Sequence, residues 1–211
     1  MTPPAGRADL AVIGAGIVGL AHALEAAKRG LSVVLFERDA RAQGASVRNF
    51  GMVWPIGQSP GLVHQRALRP RQIWLKIAPA AKIWHAETGS LHLAYRPDEN
   101  RVLQEFAGIA PDLGYDCHYL SAAQVLQRSQ AVQPDNLLGG LWSPTEVCVD
   151  PRQAIARLPL YLAEQQGIEC HFSTPVHAID LPHIHTSHGI WHADRALVCS
   201  GTDFETLYPE I

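Results

Sequence analysis

Gly14, Gly16 and Gly19 stand in the order G-x-G-x-x-G within the run VIGAGIVG. Each missing side chain answers a different need. Gly14 permits a tight turn out of a strand, Gly16 lets the backbone come close to a diphosphate, and Gly19 lets a following helix pack closely on the sheet. Free N–H groups and the positive end of the helix dipole then face the phosphates. Glu37 follows 18 residues after Gly19. Its carboxylate accepts hydrogen bonds from ribose hydroxyls and repels a 2′-phosphate. The pattern points to a bound dinucleotide, the alternative being a structural turn with no nucleotide.

Such residues need a strand, a turn, a helix and a second strand to hold them. Leu10 to Ile13 is a short apolar run stopping at Gly14, as a buried parallel strand does. Residues 17–29 are rich in helix formers, Gly30 suits a C-terminal cap, and residues 31–37 form a second apolar run. This is a βαβ unit. Helical composition follows over 61–87, with breaks expected at Pro70 and Pro79. A strand is expected over 90–95, a short helix over 100–108, and a helix over 121–128 capped by Ser121. Residues 139–143 and 146–149 read as short strands of a different sheet. Residues 88–146 break the βα alternation and are a candidate inserted lobe. Asp150 and Pro151 then open a helix that Gly167 closes, with Pro159 expected to kink or split it. Strands are expected at IECHF and PVHAIDL, then a hairpin turning at His188-Gly189, then a final apolar strand over 195–201.

The 211 residues, 47% of them hydrophobic and 18% charged, suffice for one core with a subsidiary lobe. A formal net charge of −3 gives no footing for nucleic acid. Cys117, Cys148, Cys170 and Cys199 make no Cys-x-x-Cys pair and read as small buried residues. The start lacks a secretory pattern and the apolar region 10–27 is a poor membrane span, so the expected location is cytoplasmic. His183, His185, His188 and His192 lie close in sequence, but no Cys or carboxylate completes a ligand set, and a solvated hairpin is expected rather than a metal site.

The glycine turn does not separate NAD from FAD. The stretch GASVRNFGMVWPIGQ, Gly44 to Gln58, has neither helical nor strand periodicity. An NAD dehydrogenase usually continues with further βα units at this point. Trp54 could plug a core here, but Arg48 beside Asn49 favours a flavin, since both are costly to bury without polar partners. VIGAGIVGLAHALEAAKRGLSVVLFER followed by GASVRNFGMVWP resembles the D-amino-acid oxidase and glycine oxidase superfamily of FAD-dependent oxidoreductases. The later VDPRQAI, GIECHFSTPVHAI and ALVCSG fit in the same order. Arg-Asn-Phe-Gly-Met and Trp-Pro-Ile-Gly resemble a branch associated with aminophosphonate breakdown.

The resemblance implies an α/β fold. A Rossmann-like FAD-binding domain takes residues 1–87 and 147–211, an inserted α+β lobe takes 88–146 as part of the substrate-binding region, and the C-terminus is cut short. It implies that Gly14, Gly16 and Gly19 cradle the pyrophosphate, Glu37 holds the ribose and Arg38 lies near the adenine. Ala45 and Ser46 approach the phosphates, and Arg48, Asn49, Gly51 and Met52 lie along the isoalloxazine. Val176 meets the adenine through its backbone, and Gly201 ends a strand under the FAD. The implied reaction oxidises the C–N bond of an amine or amino acid by hydride transfer to flavin N5, giving an imine that hydrolyses; no catalytic side chain is assigned. Members of the superfamily are longer, and the missing part is expected to weaken FAD binding and abolish turnover. The alternatives are a non-catalytic dinucleotide-binding remnant or subunit needing a partner chain, and an NAD-dependent dehydrogenase.

Overall fold

The computed structural model describes residues 5–203, 205 and 207. The other residues of the expected domain ranges, 1–4, 204, 206 and 208–211, lie outside the described residues. The chain divides into two compact units. One takes residues up to Phe50, Ala80–Ile83 and those from Asp150 onward; the other takes Gly51–Pro79 and Trp84–Val149.

The first unit opens with β1 (Gly6–Ile13), α1 (Ile17–Lys28) and β2 (Val33–Phe36). The second runs through β3 (Met52–Val53), α2 (Leu62–Ala80), β4 (His85–Ala86) and β5 (Ser90–Ala94). It continues with α3 (Pro97–Ile109), β6 (His118–Ser121), α4 (Ala122–Arg128), β7 (Gly139–Ser143) and β8 (Val147–Val149). The first unit resumes with α5 (Pro151–Gln166), β9 (Glu169–His171), β10 (Val176–Asp180), β11 (His183–Thr186) and β12 (Gly189–Val198).

The first unit is built on a six-stranded sheet in the order β10-β11-β12-β1-β2-β9. β12, β1, β2 and β9 run parallel, and the register aligns Val198, Ile13, Phe36 and His171 at their carboxyl ends. Gly19, Leu20, Ala23, Leu24 and Ala26 form the buried face of α1, which packs on β1, β2 and α5. Burying side chains such as Leu20 and Leu24 stabilises by about 1.5–3 kcal/mol each. Gly30, at φ 84, ends that helix, and the Gly30 and Leu31 N–H groups return to the carbonyls of Ala27 and Ala26. A core of Ala11, Ile13, Val34, Phe36, Ile184 and Trp191 fills one face of the sheet.

α5 begins as its sequence dictates: Asp150 Oδ1 accepts from the N–H groups of Arg152 (2.9 Å) and Gln153 (3.0 Å), and Gly167 ends it in the left-handed conformation. Three expectations are corrected. Pro159 does not split α5, and Pro70 does not break α2, which ends at Ala80, one residue after the break expected at Pro79. A proline removes one helical hydrogen bond, and burial of Pro159 with Leu158 and Leu162 offsets that loss. β7 and β8 belong to two sheets, β5-β7-β6 and β3-β8-β4, rather than to one. The hairpin arm and the final apolar strand are one element, β12, which pairs antiparallel with β11 and parallel with β1. Asp194 and Arg195 lie exposed in its middle and interrupt the apolar pattern without ending the strand.

In the second unit α3 lies against β5, β6 and β7 over a core of Ile56, Ala110, Tyr115, Cys117 and Leu141. Glu146, 1% exposed, is a carboxylate inside this unit. Its Oε1 accepts from the Ile56 N–H (3.1 Å) and the Thr145 hydroxyl (2.9 Å), and its Oε2 from the Ser90 hydroxyl (3.1 Å). Ser90 Oγ also lies 3.0 Å from His92 Nε2. With its own proton given to Glu146, Ser90 can only accept here, so His92 carries its proton on Nε2. Trp54 stacks on the His92 ring at 6.0 Å.

Truncating Glu146 leaves three donors unsatisfied, so Glu146→Ala should cost about 3 kcal/mol in urea unfolding, with Glu146→Gln costing less. Burial pushes the His92 imidazole below its ordinary value, and the Glu146 charge opposes this only in part. The unfolded chain therefore binds the proton more readily. The contribution is full above the ordinary value of 6.5 and is lost as pH falls below it. Melting temperatures from pH 7.5 down to 5.5, on the order of one unit either side of the ordinary histidine value, should fall less steeply in His92→Gln than in wild type. Parallel slopes would contradict this.

Candidate functional site

The carboxyl ends of β12, β1 and β2 open into a pocket of about 650 Å³, at the end of the sheet where open α/β folds bind ligands. The chain leaves β1 through Gly14 at φ 108, a conformation costly for any side-chain-bearing residue. A β-carbon on Gly14 would overlap the Cys199 carbonyl oxygen, and one on Gly19 would overlap the Gly14 carbonyl oxygen. Strand, turn and helix are thus in backbone contact, and α1 starts at the pocket with its N-terminal N–H groups.

Glu37 sits one residue past β2 and is 7% exposed. Its Oε2 accepts from the Ala15 N–H at 2.9 Å and its Oε1 from the Asp39 N–H at 3.1 Å. A carboxylate has about four acceptor positions, so two remain for a ligand's hydroxyls. The backbone of Glu37 is held as well: its N–H donates to the His171 carbonyl and its carbonyl accepts from the Thr174 N–H.

A short 3-10 turn over 45–47 crosses the start of α1. Ser46 Oγ accepts from the Ile17 N–H at 3.0 Å and caps the helix from a distant part of the chain. Asn49 folds back over this turn, donating to the Ser46 carbonyl at 2.8 Å. Arg38 pairs with Asp203 across the pocket lining, and its Nε lies 3.7 Å from Asp39 Oδ2.

Gly14, Gly16, Glu37, Ser46, Val176 and Gly201 line the pocket. Arg38, Ala45 and Asn49 line it too, while Arg48 lies in an adjoining hollow of about 530 Å³. Gly19 is buried behind the lining at the first turn of α1. Gly51 and Met52 belong to the second unit: Gly51 accepts from the Val149 N–H at 2.8 Å, and Met52 pairs with Cys148 in β3 and is 40% exposed. Arg48 and Asn49 are exposed, so the cost of burying them does not bear on the stretch. Trp54 is 42% exposed rather than plugging a core.

Several lining residues were not among the expected ones. Thr174 and Asp39 hold the end of β2, and Asp203 reaches Arg38 from 165 positions away. No local signal marks these contacts. Cys199 lines the pocket with its thiol pushed up by burial, which leaves it a neutral wall. Ser200, beside Gly201 in the expected CSG ending, has a buried hydroxyl without a hydrogen-bond partner among the described residues. The glycine cradle, the half-satisfied Glu37 carboxylate and this hydroxyl together fit a dinucleotide.

Among the described residues no group of His, Cys, Asp or Glu is arranged to hold a metal ion; His183 and His192 face each other across β11 and β12 at 4.8 Å. No helix among the described residues is long and apolar enough to cross a membrane.

The chain is 26% identical over 216 residues to a bifunctional protein ThiO/ThiG of Nostoc sp., covering 95% of this chain and 32% of that protein. It is 27% identical to N-methyl-L-tryptophan oxidase of Salmonella typhi, covering 96% of this chain and 56% of the relative. The crystal structure of glycine oxidase from Geobacillus kaustophilus superposes with a TM-score of 0.81 at 25% identity, covering 95% of this chain and 57% of that one. The chain thus spans between a third and just over half of the length of these relatives. The family described as FAD dependent oxidoreductase, DAO, matches residues 9–210. With a parallel sheet, a glycine turn and an acidic residue closing β2 along the matched length, the chain belongs to the DAO family of FAD-dependent oxidoreductases.

Proposed function

We propose that this chain forms the FAD-binding part of an oxidoreductase that oxidises the C–N bond of an amine or amino acid. The observation that carries this is the pocket at the carboxyl ends of β12, β1 and β2, with Gly14 at its floor and the Glu37 carboxylate at its side. When bound there, FAD supplies the two-electron acceptor.

The chain's own residues hold and orient. Gly14, Gly16 and the start of α1 receive the diphosphate, where backbone N–H groups and the helix dipole favour negative charge. Glu37 takes the adenosine ribose, Val176 the adenine through its backbone, and Arg38 flanks the adenine. Ala45 and Ser46 close over the phosphates, Gly201 lies beneath the cofactor, and Gly19 keeps α1 against the sheet. Arg48, Asn49, Gly51 and Met52 are assigned to the flavin end.

The substrate class rests on relatives bearing the names glycine oxidase and N-methyl-L-tryptophan oxidase. Within that class, an aminoalkylphosphonate is the narrower proposal, supported by the Arg-Asn-Phe-Gly-Met and Trp-Pro-Ile-Gly segments.

Titration of FAD with the purified protein should shift and sharpen the flavin absorption bands as the pocket fills, the signature of binding even where the complex is weak. Gly14→Ala should lose this shift, because the strained turn and the overlap with Cys199 cost about 3 kcal/mol or more, over a hundredfold in affinity. An undiminished shift with Gly14→Ala would contradict the assignment of the pocket. In a form of the protein as long as its relatives, anaerobic addition of glycine, N-methylglycine or an aminoalkylphosphonate should bleach the bands for the true substrate class. Flavin that stays oxidised with every amine would leave dinucleotide binding without the oxidase activity.

A further inference from the structure

Ser200 follows the last residues of β12 and begins a turn fixed on both sides. On the β1 side, the Cys199 N–H donates to the Ile13 carbonyl at 2.7 Å, and the Cys199 carbonyl occupies the space above Gly14. On the β2 side, Asp203 pairs with Arg38. Between them Gly201 takes φ 71, and the Asp203 N–H reaches the Ser200 carbonyl at 3.4 Å. These contacts fix the backbone path of the segment.

In that fixed setting the Ser200 hydroxyl oxygen is shielded from solvent and has no hydrogen-bond partner. Among the described residues no other buried side-chain nitrogen or oxygen is in that position. Ser200 is among the residues that line the pocket. An unpaired buried hydroxyl costs the fold free energy, and such groups are rare in native proteins. An alanine would pack in the same space without that cost. Ser200 is one residue from the contact that Gly14 makes with Cys199, at the turn leading into α1. A dinucleotide lying there presents oxygen atoms, and a serine hydroxyl donates to oxygen.

We propose that Ser200 Oγ–H donates a hydrogen bond to the oxygen-rich linker of the bound dinucleotide, its diphosphate or its ribityl chain. This rests on the flavin assignment above and adds a residue from the turn after β12 to a cradle otherwise built from β1, α1 and β2. The hydroxyl is unfavourable in the empty fold and favourable in the complex, so its removal has opposite effects on the two.

Ser200→Ala tests this without reference to turnover. Without FAD, the variant should melt at the same temperature as wild type or higher, because an unpaired hydroxyl has been removed. With FAD, its dissociation constant, measured by quenching of flavin fluorescence, should rise about tenfold, the worth of one hydrogen bond to a polar or charged acceptor. The FAD-dependent gain in melting temperature should shrink accordingly. ADP as a second probe locates the acceptor: a matching loss with ADP places it on the diphosphate, and a loss with FAD alone places it on the ribityl chain. An unchanged FAD dissociation constant would overturn the proposal while leaving the flavin assignment intact. So would a melting temperature below wild type without FAD, which would mean that the hydroxyl already serves the protein. Wild-type protein that binds no FAD would overturn the flavin assignment itself, and the proposal with it.

Discussion

The space between Gly14 and Gly19 is too small for a β-carbon, and the dinucleotide-binding unit is organised around that closeness. A strand and a helix joined by a three-residue turn can touch only if neither presents a side chain at the contact. Once they touch, the helix start is aimed at the strand's carboxyl end. The Glu37 carboxylate then secures the turn from the neighbouring strand through the Ala15 N–H, and Ser46 secures the helix start through the Ile17 N–H. The helix dipole, the backbone donors and the acidic acceptor converge because each is tied to this contact.

How much of this is legible in the sequence depends on whether the demand is local. Gly14, Gly16 and Gly19 meet needs set by residues close to them, and Glu37 is placed by the length of one helix and one strand. Asp150, Pro151 and Gly167 bracket α5 for similar reasons. Arg38 with Asp203, and Ser46 with Ile17, join parts of the chain with no shared pattern, and only the folded sheet brings them together. Ser200 escapes notice because a serine at a strand end has many ordinary uses. Its distinction is the lack of a partner, which a sequence cannot display.

The prolines and β12 show the limits of punctuation as a guide. Pro70 and Pro159 read as stops because each forfeits a hydrogen bond, yet helices tolerate that loss when neighbouring side chains are well placed. Asp194 and Arg195 are exposed charges, yet β12 runs through them because its pairing with β1 continues from Ala193 to Val198. Stretch 44–58 reads as one functional segment. In the structure it is a capping turn in one unit followed by a short strand and the Trp54 turn in the other, where Glu146 and His92 hold it.

The pairing of β1 with β12 also has a consequence for biosynthesis. Ile13 lies beside Val198, so β1 waits for a partner that the ribosome makes roughly 185 residues later. At typical elongation rates that is on the order of ten to forty seconds. Until then one edge of an apolar strand, together with the glycine turn leaning on Cys199, has no neighbour on that side. A nascent chain in this condition is a natural client for chaperones, and the glycine turn lacks its Cys199 contact until that strand emerges.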